Sequence, residues 1–72
     1  MGTDAVQFAI ELDREEDGRW LAEVRDLPGV MTYGQSRDEA MAKVQALALR
    51  VLAERLEHGE PPEFLSVSFR AA

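Results

Sequence analysis

Cysteine is absent from this 72-residue chain. That excludes a disulfide framework and any thiolate metal site, so stability must come from packing alone. Histidine occurs once, as His58, which leaves no second imidazole for a histidine metal site or a relay. No apolar run approaches the ~20 residues of a membrane span. Met1-Gly2-Thr3-Asp4 lacks the basic start and apolar stretch of a secretory signal. The expectation is a cytoplasmic protein without membrane association. Positive charge is also scarce: 8 Lys and Arg against 14 Asp and Glu, a formal charge of −6. A surface of that sign repels phosphate backbones and disfavours direct nucleic-acid binding. It suits a basic partner, and it equally serves to keep a small protein soluble.

The hydrophobic content of 46% is enough for one core and too little, over this length, for two. Residues 1–72 are therefore expected to form a single domain. A domain of about 60 residues buries only about 60% of the surface of its unfolded chain, so self-association into a homodimer or higher homo-oligomer is a natural supplement.

Val6, Phe8, Ile10 and Leu12 alternate with Gln7, Ala9 and Glu11, the period-two pattern of a strand with one buried face. An acidic stretch ending in Asp17-Gly18 follows, a hairpin signal. The next strand starts at Arg19, with Trp20, Ala22 and Val24 on one face and Leu21, Glu23 and Arg25 on the other. Asp26-Leu27-Pro28-Gly29 breaks the chain, because Pro28 lacks an amide proton and Gly29 tolerates positive φ. Val30-Met31-Thr32-Tyr33 is a short third strand closed by Gly34.

Ser36-Arg37-Asp38-Glu39 is a capping box. Ala40, Met41, Val44, Leu47, Ala48, Val51, Leu52 and Leu56 then recur at helical spacing, until Gly59 and Pro61-Pro62 stop the helix. Phe64 to Phe69 alternates once more, which places Leu65, Val67 and Phe69 toward the helix and Ser66 and Ser68 away from it. The order is β-β-β-α-β, an α+β fold. A right-handed crossover pairs the last strand parallel to the first, giving a mixed four-stranded sheet of order 3-2-1-4 with one long helix on one face. The other face, with Gln7, Ala9, Glu11, Leu21, Glu23 and Ser66, stays bare, and both edges are open.

The chemistry-bearing residues do not assemble into a familiar catalytic set. Ser36 is a cap, Ser66 and Ser68 have no triad partners, and His58 sits where a cation complements the helix dipole. Glu11 and Glu23 fall across the first two strands on one face. They are the nearest approach to a two-metal carboxylate cluster, although cross-strand acids are ordinarily a solvated face. No metal, cofactor or enzymatic activity is expected. Trp20 and Tyr33 have two readings each, as core filling or as anchors of a binding surface.

Gly18-Arg19-Trp20-Leu21-Ala22-Glu23-Val24, then Asp26-Leu27-Pro28-Gly29-Val30, then Ser36-Arg37-Asp38-Glu39-Ala40 resemble, in order and spacing, the HicB-like antitoxins. The resemblance runs from Phe8 to Leu56. It implies a partial RNase H-like fold and a type II antitoxin role, namely binding and neutralising a small basic HicA-type toxin that cleaves mRNA. It also implies a contact region around Trp20, Asp26 and Tyr33. Arg25 departs from the proline common at that position, and the helix-turn-helix or ribbon-helix-helix of fuller HicB proteins has no counterpart before Ala72, so no operator binding is expected. The alternative expectation is an orphan homo-oligomeric module that binds another protein or a ligand.

Overall fold

The computed structural model describes residues 5–59 and 65–72. Its elements are β1 (Ala5–Arg14), β2 (Trp20–Glu23), β3 (Met31–Gly34), α1 (Arg37–Glu57) and β4 (Ser66–Ala71). They form a four-stranded sheet of order β3-β2-β1-β4. β1 runs antiparallel to β2 and parallel to β4, and β2 runs antiparallel to β3. The α+β fold and strand order expected from the residue pattern are the ones observed.

β1 is used twice along its length. Ala5 to Ile10 pair with β4, and Glu11 to Arg14 pair with β2. The connection between β1 and β2 is a three-residue loop of Glu16, Asp17 and Gly18. It is closed by Glu15 N–H to the Arg19 carbonyl at 2.7 Å and Gly18 N–H to the Glu15 carbonyl at 2.9 Å. Gly18, at φ +91°, takes the left-handed position that such a loop requires. Between β2 and β3, Val30 N–H donates to the Leu27 carbonyl at 3.0 Å with Gly29 at φ +84°. Proline second and glycine third make this a type II turn. Leu27 is almost wholly buried, so the turn is pinned to the core while Asp26 and Pro28 face solvent.

The helix begins as its capping box dictates. Ser36 has extended backbone angles and its Oγ accepts from Glu39 N–H at 3.1 Å. Glu39 reaches back to Gln35 N–H at 2.7 Å, one residue before the cap. At the far end His58 N–H donates to the Glu54 carbonyl at 3.0 Å, and Nδ1 of the His58 ring donates to the same oxygen at 2.7 Å. Gly59 follows at φ +83°. Ala40, Val44, Ala48 and Leu52 are the buried stripe of α1, spaced one turn apart along the helix.

That stripe closes a core with Phe8, Ile10, Ala22, Val24, Leu27 and Val30. The helix lies mainly over β3 and β2 and only grazes β1. Val67 and Phe69 do lie on the core face, where the Phe69 ring stands 5.9 Å from that of Phe8. Two expectations need correction. Leu65 precedes β4 and is 82% exposed, since the strand starts one residue later, at Ser66. Leu56 is 44% exposed, because it lies on the solvent side of α1, outside the buried stripe that ends at Leu52. Phe64, expected to open the last strand, and Pro61-Pro62, expected to stop the helix, lie outside the described residues. Among the described residues no helix is long and apolar enough to cross a membrane.

Candidate partner-binding surface

The sheet face turned away from α1 is built by pleating. Residues paired across strands share a face, so the register gives its composition directly. One row runs Asp13, Leu21, Tyr33 across β1, β2 and β3; the next runs Glu11, Glu23, Met31. β4 contributes Ser66, Ser68 and Arg70 beyond Ala5, Gln7 and Ala9. The face is thus graded, with small and polar residues at the β4 edge, carboxylates in the middle and an apolar patch at the β3 edge. Met31 is 48% exposed and Tyr33 38%, the two large apolar side chains that the sheet leaves in solvent.

Glu11 and Glu23 stand directly opposite each other. Two like charges at that spacing repel, and Arg25 relieves them: its Nε lies 3.1 Å from Glu11 Oε2 and 3.9 Å from Glu23 Oε1. All three side chains remain substantially exposed, so the cluster is a solvated ion network. Among the described residues no group of three His, Asp or Glu side chains could hold a metal ion. With a guanidinium already between the two glutamates, the nuclease-like reading of this pair has no geometric support.

Tyr33 is held from one side. The Arg19 guanidinium carbon lies 4.4 Å from its ring centroid, a cation–π distance. Arg19 is fixed in turn by Asp17, which accepts from Arg19 Nε at 2.7 Å and from the Arg19 backbone N–H at 3.0 Å. These two hydrogen bonds, the backbone one foremost, hold the Asp17 carboxyl below its ordinary 3.8. Turn, arginine and tyrosine therefore form one chain of contacts that orients an exposed aromatic ring.

The three residues expected at a contact region are not brought to one spot. Trp20 pairs with Gly34 on the core face and is half-buried against the core cluster. Tyr33 is one register step away on the opposite face, beside Leu21. Asp26 is exposed past the other end of β2, in the turn closed by Leu27 N–H to the Val24 carbonyl at 3.1 Å. Leu21, expected on this bare face, completes the patch around Tyr33 together with Met31 and Arg19, which were not anticipated. Their signal was available: once Trp20 and Ala22 are assigned to the core face, a meander register places Tyr33 and Met31 beside Leu21 and Glu23.

No family model matches the chain. Hypothetical protein TTHA1013 of the extremely thermophilic bacterium Thermus thermophilus has a similar crystal structure, with a TM-score of 0.66 at 25% identity over 93% of either chain. A protein of Archaeoglobus fulgidus described as UPF0150 is 36% identical over 62 residues, covering 86% of this chain and 88% of its own length. With that identity spread over nearly the whole of both sequences, the chain belongs to the UPF0150 family.

Proposed function

We propose that this chain is a non-enzymatic antitoxin, which sequesters a small basic RNA-cleaving protein of the HicA type on the outer face of its sheet. The carrying observation is the grading of that face, where Glu11, Glu23 and Asp13 adjoin a patch of half-buried Leu21 and exposed Met31 and Tyr33. A basic nuclease surface meets the carboxylates, which speed encounter and fix orientation, while the oriented Tyr33 ring supplies the desolvated anchor. The relationship of UPF0150 proteins to the HicB-like antitoxins supports the same reading, as does the net charge of −6. Asp26 contributes at the margin of the contact. Trp20 contributes indirectly, by packing under the strands that carry Leu21 and Tyr33.

The test is an RNA-cleavage assay with the small basic protein recovered alongside this chain from its own host. An equimolar amount of the chain is expected to abolish cleavage, Tyr33→Ala to weaken the complex by about tenfold or more, and added salt to weaken it further. Undiminished cleavage in the equimolar mixture overturns the proposal.

A further inference from the structure

The core-facing stripe of α1 is not its only apolar face. Ala42, Ala46, Leu49, Ala53 and Leu56 all lie on the solvent side of the helix, and Leu49 is 50% and Leu56 44% exposed. Their spacing of four, three, four and three residues is that of a coiled-coil seam. Lys43, Arg50 and Glu57 flank the seam at seven-residue intervals and are exposed. Among the described residues none of the three has an ion-pair partner within the chain.

We infer that this face is a homodimer interface, on which α1 of a second copy packs antiparallel about a twofold axis at Leu49. An antiparallel twofold sets Leu49 against Leu49 of the second copy, Ala42 against Leu56, and Ala46 against Ala53. Large side chains then meet small ones at the ends, alanines meet alanines between, and the two Leu49 side chains meet at the axis, along about 21 Å of helix. The same symmetry sets Lys43 against Glu57 of the second copy, twice. The two Arg50 side chains meet near the axis, each with Glu54 one turn away to offset it. A parallel pairing loses these matches. Ala42 would face Ala42 and Leu56 would face Leu56, so small meets small at one end and large meets large at the other, while the flanking positions would pair Asp38 with Lys43, Gln45 with Arg50 and Leu52 with Glu57. The doubled Lys43–Glu57 pairing and side-chain size thus select the occupant, a second copy of this chain, and side-chain size selects its direction. The surface lies on the far side of the domain from the outer sheet face and is independent of the toxin-binding proposal.

The cysteine-free sequence makes the test direct. Sedimentation of the wild-type chain is expected to show a dimer. Leu49→Glu is expected to raise the dissociation constant at least about 100-fold, with an unchanged far-ultraviolet circular dichroism spectrum because Leu49 supports no core contact. Lys43→Glu is expected to weaken the dimer about tenfold, and Lys43→Glu with Glu57→Lys to restore it. Under mild oxidation Leu49→Cys is expected to cross-link to its own copy, whereas Ala42→Cys, held ~21 Å from its mate, is not. A wild-type chain that stays monomeric up to high concentration overturns the inference. So does a dimer indifferent to Leu49→Glu, which would place the contact on a sheet edge, or faster cross-linking through Ala42→Cys, which would make the helices parallel.

Discussion

Gly34 of β3 and Ala40 of α1 meet with no room between them: a Cβ on Gly34 would lie 2.5 Å from the Ala40 amide nitrogen and 2.9 Å from its Cα. Here the short third strand hands over to the helix, and the turn is tight because each residue carries the smallest side chain its element allows. Thr32 Oγ1, donating to the Ala40 carbonyl at 3.3 Å, ties the same two elements together. Gly34→Ala forces backbone apart from backbone and is expected to cost about 1–3 kcal/mol, read from urea unfolding. Ala at the exposed, unencumbered position Gln35 serves as the control and should cost little.

At the helix start the Ser36 hydroxyl accepts from Glu39 N–H while the Glu39 carboxylate accepts from Gln35 N–H. Ser36→Ala removes the acceptor of Glu39 N–H and is expected to lower stability by about 1 kcal/mol, whereas Ser36→Asp should retain most of it. A pair of equal losses would show that the cap is not what starts α1.

Arg25 sets how much negative charge the outer face presents. Arg25→Ala leaves Glu11 and Glu23 facing each other unrelieved, and a modest destabilisation of about 0.5–1 kcal/mol is expected at low salt, shrinking as salt screens the pair. Its effect on a basic partner runs the other way. Removing a positive charge from that face should strengthen binding, while Glu11→Gln should weaken it. Titration calorimetry of the two variants against the same partner gives opposite signs if the carboxylates are the recognition element.

Asp17 gives the chain a defined acid sensitivity. Its carboxyl is held below 3.8 by the two hydrogen bonds from Arg19, so the folded state binds a proton less readily than the unfolded one there. The stabilisation is present above pH 3.8 and is lost as the pH falls through the lower folded value. The stability difference between wild type and Asp17→Asn should therefore be constant near neutrality and vanish in that acidic window. Tyr33 fluorescence, quenched or shifted as Arg19 is released, would report the same transition.

Much of this fold could be read from residue order because each signal was local. The alternation in β1, the loop glycine at Gly18, the positive φ of Gly29 after Pro28 and the Ser36 cap each act over a few residues, and each stands as read. The cross-strand meeting of Glu11 and Glu23 followed from the hairpin register alone. What escaped were faces whose identity depends on a neighbour. Met31 to Gly34 is too short for alternation to declare itself, so the exposure of Met31 and Tyr33 emerges only with β2 in place. Arg25 looked like a minor change at a strand end, since nothing local shows that its guanidinium returns to Glu11. Leu56 matched an apolar helical spacing, but spacing alone cannot tell the core stripe of α1 from a second apolar face on its solvent side.

The parallel pairing of β1 with β4 has a kinetic meaning as well. Ala5 meets Ser66, so the ladder closes a loop of about 60 residues, whereas the hairpins close loops of a few. The meander and its helix can form from near neighbours, and β4 arrives last because its closure costs the most entropy. On the same ground it is expected to be the segment that leaves first. Each departure bares Phe8 together with a free edge of β1, and a β4 from another molecule fits that edge as well as its own does. Strand exchange between molecules is therefore the failure to watch for when this chain is refolded at high concentration.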